Sequence, residues 1–318
     1  MLITTDDSAV LQALAEALAR GSKPWLCMII GTVGSSPSPI GTLLAVTPDG
    51  LQTGSLSGGC VEEDLLARLL AGEFDSRAVQ TVEYGVSAED NMRWGLPCGG
   101  RLTLAVQQLD ARDTHWITAA QQAIAQRQVL QRTIDIKDGN CALTPQTQFN
   151  TLAVSDTHIS HCFGPRLRLL LIGAGAISAA LTSLALATDY EVTVIDSRDW
   201  AIAQWTGPPV ALVLALPDDA IRAQNADQHT AIVTLSHDPR VDDMALLEAL
   251  ESDAWYVGAL GSLRTSEKRR SRLTALGMSD SSLARLHAPV GLDIGSKTPM
   301  EIAIAIMAEL IQYRRGRR

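Results

Sequence analysis

The chain has 318 residues and a formal net charge of −9, a length that favours two domains and a balance that argues against nucleic acid as the main partner. At 46% apolar it can fill ordinary cores, while 4% aromatic is too little for base-stacking platforms. No apolar stretch reaches the length of a membrane span, and Met1–Arg20 lacks a basic start followed by an apolar run, so neither a membrane helix nor a signal peptide is predicted.

Asp6-Asp7-Ser8 can cap a helix whose apolar side is Val10, Leu11, Leu14 and Leu18, ending at Gly21. Trp25–Val33 reads as a buried strand, and the Ser/Pro/Gly segment 34–41 as a loop. Thr42–Thr47 is a second strand, followed by the turn Pro48-Asp49-Gly50. Val61–Leu70 is a helix with acids in its first turn. Ala78–Tyr84 and Leu102–Leu109 are strands separated by a loop that carries Cys98. A helix over His115–Arg127 and a hairpin around Asp138-Gly139-Asn140 complete the first half. The segment Gln146–His161 is polar and unpatterned, which places the domain boundary near Phe163-Gly164-Pro165, with domains at 1–160 and 161–318.

The second half alternates strands, at 167–172, 191–196, 210–216, 230–235 and 255–260, with helical patterns. That alternation predicts an α/β fold, a parallel sheet with helices on both faces. Helices at Arg264–Leu276, Asp280–Leu286 and Met300–Tyr313 follow, with Lys268-Arg269-Arg270 as a solvated face and Tyr313–Arg318 as a frayed end.

Two groups of motifs carry chemistry. The strand Leu167–Ile172 runs into Gly173-Ala174-Gly175 and a helix start, and Asp196 ends the next strand about 20 residues on. This is the order of a Rossmann dinucleotide loop. Glycines shape the turn, the helix N-terminus faces a pyrophosphate and the acid bonds a ribose hydroxyl. Ser178 stands where a third glycine is usual, and Arg198 reads as a surface charge.

The other group is a pair of cysteines beside glycine pairs, Gly58-Gly59-Cys60 and Cys98-Gly99-Gly100. Glycines let a backbone approach a ligand closely, and a thiolate is both a nucleophile and a soft metal ligand. The absence of C-x-x-C spacing argues against structural zinc. Cys27, Cys141 and Cys162 read as small buried apolar residues, and the odd, scattered set of five fits a reducing cytoplasm. Acids follow Cys60 directly, whereas Cys98 has none nearby, which favours Cys98 as the metal-facing residue. Three weaker candidates are Ser236-His237-Asp238 at a strand end, Ser35-Ser36-Pro37 and Ser55-Leu56-Ser57.

These strings, with Gly54–Glu62, Gly95–Leu102, Leu171–Gly175, Val194–Arg198, Tyr256–Ser262 and His287–Gly295 in that order, resemble the XdhC/CoxI family. These are accessory proteins of molybdenum hydroxylases of the xanthine dehydrogenase type. The chain departs from the family pattern at Ser38, Pro97, Ala176 and Ser178. The resemblance implies an N-terminal α+β XdhC/CoxI-type domain joined to a Rossmann-like one. It implies a non-catalytic chaperone that binds the molybdenum cofactor, in its molybdopterin cytosine dinucleotide form. Such a chaperone assists cofactor sulfuration with a cysteine desulfurase and hands the cofactor to an apo-hydroxylase of the xanthine dehydrogenase or aldehyde oxidoreductase type. A molybdopterin cytidylyltransferase as supplier and a homodimer are further expectations from it. Carried onto this chain, Cys98 faces molybdenum, and Cys60, Gly58, Gly59, Gly99 and Gly100 line the same pocket. Gly173, Gly175 and Asp196 take the nucleotide, with the pocket between the domains. The competing readings from the residues are an NAD(P)-dependent oxidoreductase and a cysteine-based sulfur carrier.

Overall fold

The computed structural model describes residues 5–34, 38–57, 59–85, 100–150, 152–236 and 238–316. The chain divides into two compact units, Met1–Arg166 and Leu167–Arg318.

In the first unit, helix α1 (Thr5–Ala19) starts before the expected cap, so Asp7 and Ser8 lie within its first turn. It buries Val10, Leu11, Leu14 and Leu18, the spacing of one helical face. Strands β1 (Trp25–Val33), β2 (Leu43–Val46), β3 (Gln52–Gly54), β4 (Gln80–Tyr84) and β5 (Arg101–Gln108) form an antiparallel sheet in the order β3-β2-β1-β5-β4. Both faces of β1 are covered, which is why its sequence is apolar without alternation. Leu26 and Met28 share a core with α1 and with α3 (Thr114–Ala125), while Trp25, Cys27 and Ile29 pack with α2 (Cys60–Leu70).

The predicted hairpin is present as β6 (Val129–Asp135) and β7 (Cys141–Gln146). The segment read as polar and unpatterned is built into a sheet. It contributes β8 (Ala153–Val154) and β9 (His158–Phe163), and β9 pairs with β6 in a second sheet ordered β7-β6-β9-β8. Its pattern misleads because His161 is buried, so a polar residue occupies an inward position. His161 sits edge-on to Phe163, at 4.8 Å between ring centroids.

The second unit is a six-stranded parallel sheet of β10 (Arg168–Ile172), β11 (Glu191–Asp196), β12 (Ala211–Leu214), β13 (Thr230–Thr234), β14 (Tyr256–Ala259) and β15 (Leu286–His287). The order β12-β11-β10-β13-β14-β15 is that of a doubly wound nucleotide-binding fold, 3-2-1-4-5-6 in chain order. The two-residue β15 begins at the last residue of an expected helix, which shortens to α9 (Asp280–Leu283). Alternate strand residues such as Leu170, Ile172, Ile232 and Val257 pack against α6 (Pro217–Gln224), α7 (Pro239–Glu251) and α8 (Leu263–Ala275). The intervening Leu169, Leu171, Val194 and Val233 are buried as well, and α4 (Ala176–Ala187) packs against α10 (Pro299–Arg314). A short α5 (Asp199–Ala203) follows β11. Among the described residues no helix is long and apolar enough to cross a membrane.

Two expectations fail in this unit. Arg269 is 2% exposed rather than solvated, because it reaches Asp242 at 3.1 Å and the Leu260 carbonyl at 3.0 Å, and Arg270 donates to the carbonyls of Leu283 and Leu286. The chain end is not frayed from Tyr313, whose ring packs against those of Trp255, Tyr256 and His287 in continuation of α10.

Candidate functional site

Cys60 is the first residue of α2 and is exposed. Gly59 before it has φ −166°, an extended conformation open to any residue, and a Cβ there would meet nothing within 4 Å. Among the described residues nothing therefore requires a glycine at this position. Gly54 is different. At φ +94° a Cβ would lie 2.5 Å from the Leu43 carbonyl oxygen, so only glycine allows the chain to leave β3 there.

The segment between Gly54 and Cys60 is held by one carboxylate. Glu62 Oε1 accepts the Ser55 hydroxyl at 2.9 Å and the N–H groups of Leu56 at 2.5 Å and Ser57 at 3.2 Å. The acid expected beside the thiol thus turns back onto the incoming loop, as in an extended capping box. Ser55 is thereby part of that turn.

Strand register gathers the loops. β1 ends at Val33 opposite Arg101, the first residue of β5, and β4 ends at Tyr84 opposite Leu102. β2 begins at Leu43, and Leu44 pairs with Gly54 at the end of β3. The loops after β1, β3 and β4 therefore all leave one end of the sheet. The Tyr84 hydroxyl donates to Asp64 Oδ2 at 2.9 Å, which bonds the end of β4 to the first turns of the helix that opens at Cys60. Burial, and then the Asp64 carboxylate, push the Tyr84 phenol well above its usual range.

Gly100 is buried directly ahead of β5. Cys98, Gly99 and Gly58 lie outside the described residues, as do Ser35, Ser36, Pro37 and His237. Of the other cysteines, Cys27 and Cys162 are buried and Cys141 is half-buried; burial pushes the Cys27 thiol up to about 12. Among the described residues no group of three or more His, Cys, Asp or Glu side chains is arranged to hold a metal ion.

In the second unit the glycine turn sits at the C-terminal end of β10, where strand order reverses between β10 and β13. Gly173 has φ +108°, and a Cβ there would come within 2.7 Å of the Ser236 Cα. Gly175, ahead of α4, faces open space. Ser178 is fully buried and donates its hydroxyl to the Gly173 carbonyl, so the serine braces the turn in place of a glycine.

Asp196 is 4% exposed and already engaged. It accepts the Ala174 N–H at 2.8 Å, the Arg198 N–H at 3.0 Å, and the Arg198 side chain through Nε at 2.9 Å and Nη2 at 2.7 Å. Burial alone would raise this carboxyl, but those donors outweigh it and hold it below the usual carboxylate range. Arg198 is therefore half of a fork with Asp196 rather than a free surface charge. Ser236 donates to Asp242 at 2.6 Å, and Asp238 caps α7 by accepting the Arg240 N–H.

A doubly wound parallel-sheet unit and an α+β unit with an exposed thiol at a helix start make up the chain. The chain belongs to the XdhC and CoxI family: the model of that name matches residues 17–85, which include Cys60, and the XdhC Rossmann domain matches residues 169–310. Among its relatives is the molybdenum cofactor insertion chaperone PaoD of Escherichia coli K12, 28% identical over 98% of this chain and 90% of that protein. A Bacillus subtilis protein, named as a probable subunit of xanthine dehydrogenase, is 27% identical over 91% of this chain and 93% of its own length. A crystal structure described as a xanthine dehydrogenase from Bacillus halodurans shares the fold, with a TM-score of 0.76 at 24% identity over 97% of this chain and 96% of that one.

Proposed function

We propose that the protein is a molybdenum cofactor insertion chaperone acting in the cytoplasm. It carries the cofactor as cargo, in the cytosine dinucleotide form received from a cytidylyltransferase. It holds the cofactor while a cysteine desulfurase supplies sulfur, and delivers it to an apo molybdenum hydroxylase without turning over a substrate. The observation that carries this reading is the bond from Tyr84 to Asp64, which ties the helix opening at Cys60 to the strand end from which the Cys98 segment departs. In this assignment Cys98 is the molybdenum-facing thiolate. Cys60, Gly58, Gly59, Gly99 and Gly100 wall the metal end.

The residues described fit such a cargo. Cys60 is an exposed soft donor, and the space at Gly59 and at Gly175 is clear of side chains. Gly173 and Gly175 shape a turn for the cofactor's phosphates, and Asp196 holds that turn through Ala174. When bound, the cofactor supplies an electrophilic metal centre. The chain's own part is to orient it and to shield its sulfur from water.

The test is anaerobic purification of the full chain from a host that makes the cofactor, followed by molybdenum and pterin analysis. The wild type is expected to retain both, and Cys98→Ala to lose more than about tenfold of the molybdenum, with Cys27→Ala unchanged. Wild-type levels in the Cys60→Ala/Cys98→Ala double variant would refute a thiolate ligand. A nicotinamide-linked absorbance change without bound pterin would turn the reading toward an oxidoreductase.

A further inference from the structure

An ionised carboxylate offers about four lone-pair sites, and Asp196 has all of them filled. Oδ1 takes the Arg198 N–H and Nε, and Oδ2 takes Arg198 Nη2 and the Ala174 N–H, at 2.7–3.0 Å. In folds of this strand order the acid at this position reads the two hydroxyls of a ribose. Here a ribose diol would have to break a bidentate, charge-assisted fork or release the Ala174 N–H that pins the glycine turn.

The group turned outward is the guanidinium. The Arg198 side chain is 41% exposed, and Nη1 has no hydrogen-bond partner among the described residues. The guanidinium lies 4.9 Å from the centre of the Trp200 ring, and Trp200 is itself 55% exposed. Because Arg198 and Ala174 share Asp196 Oδ2, the guanidinium stands beside the turn that leads to Gly175, where a Cβ would meet nothing within 4 Å. The other charge acting on it is Asp238, from the loop after β13. A planar guanidinium matches phosphate oxygens and stacks on aromatic faces, and Nη1 of Arg198 is left over from the fork with Asp196.

We propose that Arg198 binds a phosphate of the ligand at the glycine turn, and that Asp196 is a positioning residue that orients Arg198 and Ala174 and does not read a ribose diol. This deepens the cargo reading and rests on it only for a phosphate-bearing ligand. The phosphate is either a pyrophosphate within a dinucleotide or a phosphate monoester.

Calorimetric titration of the full chain with CDP, CMP, cytidine and 2′,3′-dideoxy-CDP tests it. CDP is expected to bind at least about tenfold more tightly than cytidine, and dideoxy-CDP within about twofold of CDP. CDP binding well above CMP identifies the pyrophosphate source, and equal binding the monoester. Arg198→Ala should weaken CDP by at least about tenfold with unchanged circular dichroism, and should make the diol matter because Asp196 is freed; Arg198→Lys should restore part of the loss. Cytidine binding as tightly as CDP, a tenfold loss with the dideoxy ligand, or no binding of either phosphorylated probe would overturn the proposal. Molybdenum and pterin retained without phosphate selectivity would defeat this inference alone. Phosphate selectivity without them would defeat the cargo reading alone.

Discussion

Glu62 shows how one side chain shapes the approach to a candidate site residue. Its Oε1 gathers three donors from residues 55–57 and so sets the path of the chain into Cys60. Glu62→Ala should cost about 1–2 kcal/mol of unfolding free energy, read from urea denaturation, the worth of charge-assisted bonds at a half-exposed position. It should also lower molybdenum retention although Cys60 is intact. Retention equal to wild type would show that the loop path is irrelevant to binding. The residues alone announced an acid near the thiol, but not that it faces the other way. Ser178 is a similar case: its presence at the third-glycine position was visible, but its hydroxyl bond to the Gly173 carbonyl depends on the helix closing over the turn.

At the scale of elements, local periodicity was a good guide wherever apolar spacing decided burial. β1, α2, α3 and five of the six strands of the parallel sheet, all but β15, lie within two residues of their expected limits. It failed at β9, where His161 faces inward near buried Arg132. Burial first, and then the positive charge of Arg132, push the His161 imidazole down to about 3. Arg132 in turn lies 3.8 Å from the centre of the Trp116 ring and donates to Gln107. The unfolded chain takes up a proton on this histidine below about pH 6.5, whereas the folded chain leaves it neutral. The unfolded state therefore binds more protons between those values, so stability is fully present above about 6.5 and is lost as pH falls. The loss reaches about 1.4 kcal/mol per pH unit from this residue. Urea midpoints measured from pH 7 to 4.5 should show a shallower decline in His161→Gln than in the wild type. Parallel curves would mean that His161 does not set the acid limit.

For the whole molecule, each unit has its own core, so thermal unfolding is expected to depart from a single two-state transition. Gly173→Ala puts a Cβ at φ +108° against the Ser236 backbone and should cost more than about 2 kcal/mol. In calorimetry it should lower the transition of the second unit and leave the first in place. A uniform shift of both would show that the units unfold together. Much of the architecture was legible in the chain itself. The alternation of strands and helices implied a parallel sheet, and the Gly173–Gly175 turn falls at the strand end where the sheet order reverses. These are local patterns, in which each residue's burial follows from its neighbours three or four positions away. The tertiary structure alone decided which polar groups meet. Tyr84 reaches Asp64, Asp196 takes the Ala174 N–H, and Arg269 is drawn inside by Asp242. Such partners are chosen by where strands and helices come to rest, and periodicity along the chain carries no information about a hydrogen bond between separate elements.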